Sequence, residues 1–270
     1  MVNGLMIRIL YSDVGLLAVN KPAGLAVHEA PGPARSLLRE LRAQGLEGLT
    51  LVHRLDKEAS GVLLLARSKE VARALERRWS EVEKTYLVLC HGTPPERAGM
   101  ISAPILEHQT GKPERLRRAL EHFRKQHPGT KPAPLPAPKT SAVHPAGRSA
   151  QTEYRVMEIF SVKSAGQQQA QPRSAAPPRK PRRFSWLEVS PRQGRMHQIR
   201  VHLAQIGCPI VGDKLYGTKE AQRTWGVSRL ALHAAKLVLP HPGRPGERIS
   251  IVAPLAEDLA AALERLRVSS

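Results

Sequence analysis

The stretch of residues 52–66 constrains the fold more than any other segment of the chain. Its second half, residues 61–66, is a short apolar run, which is typical of a strand buried on both faces. A polar turn leads into this run and carries a single acid, Asp56, between Arg54 and Lys57. A carboxylate beside cations stays ionised and is held in place, as a nucleophile or general base requires. An ordinary turn-forming Asp would fit the same local sequence.

The charge of the chain favours a polyanionic partner. The 270 residues include 42 Lys and Arg against 23 Asp and Glu, which gives a formal net charge of +19. Such a surface repels itself and attracts nucleic acid first and anionic membranes second. No apolar run approaches the roughly 20 residues that span a bilayer, so we expect no membrane insertion. Charge alone does not separate an RNA-binding protein from an enzyme that acts on RNA.

The cysteines and histidines predict neither disulfides nor a metal site. Cys90 and Cys208 are the only cysteines, and their spacing fits no disulfide framework, which favours a reducing, cytoplasmic setting. The histidines are scattered, and the five-residue spacing of His197 and His202 does not match helical metal ligands. The first ten residues lack the apolar core and cleavage site of a secretory signal.

The apolar pattern predicts an α+β fold with a mixed, mostly antiparallel central sheet flanked by helices. The order of strands and helices lacks the regular strand–helix units of a parallel sheet. Helical periodicity appears at residues 36–44, 68–83 and 197–207 and at the end of the chain. The predicted strands lie at residues 6–11, 15–19, 61–66, 85–91, 151–160, 184–190, 236–239 and 248–252.

Two basic segments interrupt this pattern, at about residues 106–150 and 163–183. The first contains a basic amphipathic helix and then a Pro- and Lys-containing tract at residues 128–145. This tract has too little apolar content to pack alone, so we expect it to be mobile. The second segment predicts a disordered basic loop that is solvated or clamps phosphates. We therefore predict a single domain over residues 1–270 with two basic insertions.

Four segments share a polar, turn-forming character: NKPAGLAVH at residues 20–28, HRLDKEASG at 53–61, KTYLV at 84–88 and GRMHQIRVHL at 194–203. Taken in this order, they resemble the RluA-type RNA pseudouridine synthase family. Further matches are QTEY at residues 151–154 and RLALHA at 229–234, and the resemblance spans roughly residues 7–254, interrupted by the insertions. A single motif would be weak evidence, but several in a fixed order are strong.

The resemblance implies that a uridine in ribosomal or transfer RNA is isomerised to pseudouridine. The glycosidic bond breaks, the uracil turns, and its carbon 5 is joined to the ribose. Asp56 is then the catalytic carboxylate, and attack on the base, attack on the sugar and removal of a ribose proton all stay open. No cofactor and no metal are expected, because an isomerisation needs no redox or group-transfer partner. We expect a cytoplasmic monomer.

The resemblance also assigns two partners to Asp56. Arg200 matches the arginine that pairs with the catalytic carboxylate, and a guanidinium opposite a carboxylate would in any case orient it. A phosphate contact or a surface charge on a helix is the alternative role for Arg200. Tyr86 matches the active-site tyrosine, whose ring could stack on the uracil and whose hydroxyl could assist proton transfer at carbon 5. An ordinary half-buried strand tyrosine is the alternative.

The remaining candidate residues would bind RNA. Arg54 matches the arginine that fills the gap left by an extruded base, with a simple phosphate contact as the alternative. Leu232 is either an apolar wall for the base or an ordinary core residue. Lys21, Arg195 and His197 are expected to shape the cleft or contact RNA, although His197 could equally be a residue of a helix face.

Other functional classes fit less well. A basic RNA-binding or assembly factor without catalysis is the main alternative, and loss of Asp56, Tyr86 or Arg200 would have favoured it. The chain lacks the His-x-Glu and Pro-Cys-x-x-Cys pattern of zinc deaminases and the paired carboxylates of glycosidases. Ala59 and Met196 replace hydroxyl residues common in the family, but neither hydroxyl is needed for the scheme. We expect no appended N-terminal RNA-binding domain, so target choice would rest on the catalytic domain and its insertions.

Overall fold

A ten-stranded sheet forms the centre of the protein, whose structure is a computed structural model. The structure describes residues 5–28, 35–108, 113–128, 130, 133–162, 181–222 and 225–270. The strands are β1 (Arg8–Ser12), β2 (Leu16–Lys21), β3 (Thr50–Leu51), β4 (Ser60–Ala66), β5 (Glu83–His91), β6 (Ala98–Ser102), β7 (Ile105–Glu107), β8 (Ser141–Val143), β9 (Gln151–Val162), β10 (Arg182–Pro191), β11 (Leu232–Pro240) and β12 (Arg248–Val252).

The sheet is mixed and mostly antiparallel, which confirms the predicted fold class. Its strand order is β1-β2-β4-β11-β5-β10-β9-β6, with β12 paired to β11 and β3 paired to β4. The pairing of β4 with β11 is parallel, and the other pairs in the described part of the sheet are antiparallel. Strands β7 and β8 form a separate two-stranded antiparallel sheet, the β7–β8 pair. This pair belongs to the first predicted insertion.

Five α-helices accompany the sheet in the described residues. The hydroxyls of Ser36 and Ser68 cap the first two by accepting hydrogen bonds from the Arg39 and Val71 N–H groups, as Ser at this position commonly does. None of the described helices combines the length and the apolar character that a membrane-spanning helix needs. The helices are α1 (Leu37–Ala43), α2 (Lys69–Arg77), α3 (Pro113–Gln126), α4 (Gln198–Gln205) and α5 (Glu257–Val268).

Strand β4 is buried along its whole length, as its apolar sequence predicts. Successive side chains of a strand point to opposite faces of the sheet. Leu63 and Leu65 therefore join the apolar cluster that contains the leucines of α1, whereas Val62 and Leu64 join the cluster that contains Leu75 of α2. Each such side chain contributes about 1.5–3 kcal/mol when fully buried. The strand that follows the Asp56 turn is thus fixed from both sides.

The parallel pairing of β4 with β11 requires a glycine at position 61. Gly61 lies opposite Ala234 in the register. Its φ is +110°, and a Cβ atom built there would lie 2.1 Å from the Ala234 carbonyl oxygen. A side chain would therefore both strain the backbone and force the strands apart. The close approach brings the turn that precedes β4 next to the start of β11.

The structure corrects the predicted end of α2. The helix ends at Arg77 rather than near residue 83, and a short 3-10 helix, Trp79–Glu81, follows it. Glu83 then begins β5 and pairs with Val238 of β11. The apolar spacing continues past Arg77 because these side chains still pack on the sheet, but the backbone hydrogen bonds change from the helix to the neighbouring strand.

The expectation of a mobile tract at residues 128–145 is wrong for its described part. Strand β8 pairs with β7, and the His144 side chain is fully buried. The ring of His144 lies 6.3 Å from that of Phe123 on α3, and its Nε2 atom is 3.0 Å from the Ala133 carbonyl oxygen. Hydrogen bonds and one buried ring hold this segment, which a count of apolar residues does not reveal.

The second predicted insertion is only partly covered by the described residues. Of residues 163–183, the positions 163–180 lie outside the described ranges, so the predicted disordered loop stays a prediction. Arg182 and Arg183 belong to β10, where they pair with Val162 and Ser161. The strand therefore begins two residues earlier than expected.

We expect Gly61→Ala to destabilise the protein by more than about 3 kcal/mol, because it combines a steric overlap with a backbone conformation that L-residues avoid. Gly45→Ala is the matched control, since Gly45 also has a positive φ of +77° but an added Cβ atom would meet nothing within 4 Å. It should cost only about 1 kcal/mol. Urea denaturation measures both, and equal losses would contradict the role given to Gly61.

Candidate active site

The turn that carries Asp56 is anchored on both sides. Leu55 is 8% exposed and packs in the apolar cluster beneath the turn. The Ala59 N–H donates to the Asp56 carbonyl oxygen at 3.1 Å, and the Gly24 N–H donates to the Lys57 carbonyl oxygen at 2.9 Å. These contacts fix the backbone of the turn, so Asp56 presents its side chain from a rigid base.

Lys21 supports this turn from below and is not a surface residue. It is fully buried, and its Nζ donates to the carbonyl oxygens of Pro22, Leu25 and Lys57 at 2.7, 2.8 and 3.0 Å. All three hydrogens of the ammonium are thereby used, and burial lowers the pKa of Lys21 to about 8. The prediction that Lys21 shapes the cleft fits this geometry, whereas a direct contact with RNA does not.

Arg200 joins two carboxylates. From α4 its Nη1 donates to Asp56 Oδ2 at 2.9 Å, and its Nε and Nη2 donate to the two oxygens of Asp213, each at 2.8 Å. Its guanidinium carbon lies 5.1 Å from the centre of the Tyr216 ring. Burial alone would lower the pKa of Arg200, but the hydrogen bonds and charges of Asp213 and Asp56 raise it overall. The guanidinium is therefore permanently charged and fixed in orientation.

Asp213 is a site residue that the sequence reasoning missed. Its side chain is fully buried, and Oδ1 also accepts hydrogen bonds from the Leu215 and Tyr216 N–H groups at 2.9 and 3.1 Å. Burial raises the pKa of Asp213, but its hydrogen bond to Arg200 offsets this and the pKa is lowered. The only sequence signal was a polar residue in the turn after α4.

Tyr86 and Leu232 complete a cleft of about 380 Å³ with Asp56 and Arg200. They lie on the neighbouring strands β5 and β11, where Tyr86 pairs with Ala234. Burial and the charge of Asp56 raise the pKa of the Tyr86 phenol. The structure therefore brings together the three predicted catalytic side chains and the predicted apolar wall.

The charged side chains that line the cleft are mostly cationic, and some of them come from the first insertion. Arg54 is exposed at its rim. Arg195 donates twice to the Ser149 carbonyl oxygen, at 3.1 and 3.0 Å, so it is tied to the end of the insertion. The excess of positive charge favours an anionic ligand. The cationic side chains are Arg54, Lys84, Arg115, Arg148, Arg195 and Arg200, and the acidic ones are Asp56 and Glu107.

Lys84 is a second residue that the sequence reasoning missed. It is 8% exposed, and its ammonium group makes no hydrogen bond or ion pair with the residues that the structure describes. Its Nζ lies 6.0 Å from the centre of the Trp79 ring, and Trp79 in turn contacts the ring of His53 at 5.1 Å. Burial lowers the pKa of Lys84. A largely buried cation without a counter-charge favours an anion in the adjoining cleft.

His197 lies at the start of α4 and faces Asp56. Its φ of +57° and ψ of +22° are left-handed, and its side chain is 13% exposed. The Nε2 atom is 3.9 Å from Asp56 Oδ1, and the Nδ1 atom is 2.8 Å from the Tyr216 hydroxyl. The ring therefore lies within the same cleft as the predicted catalytic residues.

The sequence and the fold are similar to those of enzymes that modify RNA. Residues 15–205 match the family described as RNA pseudouridylate synthase. The chain is 33% identical over 268 residues to the ribosomal large subunit pseudouridine synthase C of Escherichia coli K12, with 96% of this chain and 70% of the relative covered. It is 36% identical over 258 residues to an uncharacterized RNA pseudouridine synthase of Chloroflexus aurantiacus, with coverage of 92% and 66%.

Solved structures agree with this similarity. The human RNA pseudouridylate synthase domain containing 4 aligns with a TM-score of 0.63 and 25% identity, over 96% of this chain and 93% of that one. A second human protein, RNA pseudouridylate synthase domain containing 1, shares the fold with a TM-score of 0.66 at 24% identity. The alignment covers 95% of this chain and 87% of that one. The family resemblance of the motifs is thereby confirmed, and the chain belongs to the RNA pseudouridylate synthase family, whose members are isomerases.

Proposed function

We propose that the protein isomerises specific uridines to pseudouridine in large-subunit ribosomal RNA, with Asp56 as the catalytic carboxylate. The observation that carries this proposal is that Asp56 lies in a cleft of nucleoside size, where Arg200 Nη1 donates a hydrogen bond to its Oδ2 at 2.9 Å and orients it. Ribosomal RNA is chosen over transfer RNA because the Escherichia coli relative is named for the large ribosomal subunit.

The two oxygens of Asp56 have different surroundings, which suits a group that reacts with a ligand. Oδ2 is hydrogen-bonded to Arg200. Oδ1 makes no hydrogen bond with the residues that the structure describes and lies 3.9 Å from His197 Nε2. The carboxylate is 23% exposed, so Oδ1 is accessible from the cleft. One oxygen therefore holds the orientation while the other stays available for the nucleoside.

The walls of the cleft suit an extruded uridine. Tyr86 offers a ring face for stacking and a phenol that stays protonated because its pKa is raised, and Leu232 offers an apolar surface. Arg54 at the exposed rim is positioned to occupy the space that the base leaves or to bind a phosphate. The convergence of Asp56, Tyr86 and Arg200 favours an enzyme over a binding protein without catalysis.

The proposal is tested by mapping pseudouridines in the total RNA of cells with and without the gene. We expect loss of pseudouridine at one or a few positions of large-subunit ribosomal RNA, and restoration of those positions by the purified protein without added cofactor. Loss in transfer RNA would overturn the choice of substrate, and an unchanged map would overturn the proposed activity.

Asp56→Asn should lower turnover by more than about 10³-fold and leave RNA affinity nearly unchanged, because it removes the reactive oxygen with little change in shape. Glu58→Gln is the matched control, since it removes an exposed carboxylate two residues away and should retain turnover. Single-turnover assays and filter binding measure the two quantities. Full turnover in Asp56→Asn would refute the catalytic role.

Asp213→Asn should weaken both the stability of the protein and its turnover. It removes one charge from a buried ion pair, so we expect a loss of about 3 kcal/mol in the free energy of unfolding. Turnover should fall at least about tenfold because Arg200 loses one of its two supports. Glu188→Gln, in a pair with Arg155 whose side chains are 35% and 66% exposed, should cost less than about 1 kcal/mol. Urea denaturation and single-turnover assays distinguish the two variants.

Lys84→Met should weaken RNA binding and reduce its salt dependence. Loss of one phosphate contact lowers the slope of log Kd against log salt by about 0.7–0.9. Lys236→Met is the control: Lys236 pairs with Thr85, so its side chain lies on the sheet face opposite to that of Lys84. Binding titrations over a series of KCl concentrations measure the slope. Equal slopes in the wild-type protein and Lys84→Met would show that Lys84 binds no phosphate.

A further inference from the structure

The backbone that immediately precedes His197 is fixed by the first insertion. The Met196 N–H donates to Glu107 Oε1 at 2.9 Å, and the Met196 carbonyl oxygen accepts from the Ser141 hydroxyl at 2.7 Å. Glu107 ends β7 and Ser141 begins β8, so the β7–β8 pair fixes the backbone of the residue that precedes His197. The left-handed backbone of His197 costs about 1–2 kcal/mol, and these hydrogen bonds offset that cost.

The Tyr216 hydroxyl determines which ring nitrogen of His197 carries hydrogen. The Ser141 N–H, which can only donate, gives its hydrogen bond to the Tyr216 oxygen at 2.8 Å. The hydrogen of the hydroxyl is then directed to His197 Nδ1, also at 2.8 Å, and the described residues offer it no other acceptor. This arrangement favours Nδ1 as the acceptor nitrogen, and in a neutral ring the hydrogen is then on Nε2.

The charge states of both groups agree with this assignment. Burial raises the pKa of Tyr216, which keeps the phenol protonated. Burial is also the largest influence on His197, followed by Asp56, which raises its pKa, and Arg200, which lowers it. The net effect is a lowered pKa for His197. A neutral imidazole with its hydrogen on Nε2 is the form that results.

The Nε2 atom of His197 lies near the available oxygen of Asp56 without bonding to it. The 3.9 Å separation of Nε2 from Asp56 Oδ1 exceeds hydrogen-bond length. The N–H therefore stays available to a third atom that enters the cleft. Under the proposed function, on which this inference rests, that atom belongs to the uridine.

We propose that His197 donates a hydrogen bond from Nε2 to a carbonyl oxygen of the target uracil, and that Tyr216 is the positioning residue that holds the required tautomer. When the bond between ribose C1′ and uracil N1 breaks, its electron pair stays on the uracil and spreads to the carbonyl oxygens. The hydrogen remains on Nε2, and no proton transfer is involved. A donor aimed at that oxygen stabilises the developing charge, and a neutral donor leaves the negative charge of Asp56 intact.

The tautomer is tested without RNA by nitrogen-15 NMR of the histidine-labelled protein, with His197→Phe used to assign the signals. We expect an unprotonated Nδ1 and a protonated Nε2 in the wild-type protein. Tyr216→Phe, which retains the ring over Arg200, should show a mixture of tautomers. Tyr11→Phe is the control, because the Tyr11 hydroxyl donates to Asp13 at 2.6 Å on the edge strand β1. Hydrogen on Nδ1 in the wild-type protein would overturn the proposal.

The donor role is tested by turnover. His197→Phe should lower kcat by on the order of 10²-fold with RNA affinity nearly unchanged, whereas His197→Gln, whose amide can donate, should lose less than about tenfold. Equal kcat values for the wild-type protein and His197→Phe would overturn the donor role. A protein that shows the expected tautomer but modifies no RNA would instead refute the proposed function and the assigned acceptor, while the role of Tyr216 would stand.

Discussion

The site depends on one guanidinium that two carboxylates share. Arg200 is 9% exposed, and a buried cation of this kind is stable only with its charge and its donors satisfied. Asp213, fully buried, takes two of the hydrogen bonds and neutralises the charge, so the third is available to Asp56. Asp56 therefore gains a fixed partner without having to balance the whole charge of Arg200. This division of roles orients a carboxylate that stays partly open to the cleft.

The first insertion takes part in building the site in addition to extending the basic surface. Its helix α3 and the turn after β8 supply Arg115 and Arg148 to the cleft. Its β7–β8 pair supplies Glu107 and Ser141, which hold the backbone before His197. Recognition and positioning thus share one small unit. A ligand that binds the two arginines contacts the same unit that holds the start of α4.

The sequence predicts the structural elements that a local pattern determines and the site residues that a motif identifies. The strand β4, the turn before it and the starts of α1 and α2 follow from composition and periodicity, because they depend on neighbouring residues. Asp56 and Arg200 are 144 positions apart, and only the family resemblance connected them. Asp213 and Lys84 were missed because their importance lies in burial and in which charges surround them, which the topology decides. The tract at residues 128–145 was misjudged for the same reason, since polar contacts hold it.

The parallel pairing of β4 with β11 has a consequence for how the protein is made. Ser60 and His233, which pair across these strands, are 173 positions apart, so a growing chain emerges with β1, β2 and β4 long before β11 exists. The early sheet then has an unfilled hydrogen-bonding edge, and such edges invite wrong partners. Cotranslational folding must protect this edge until about the last seventh of the polypeptide arrives. The Asp56 carboxylate is synthesised early, and its guanidinium partner follows only 144 residues later.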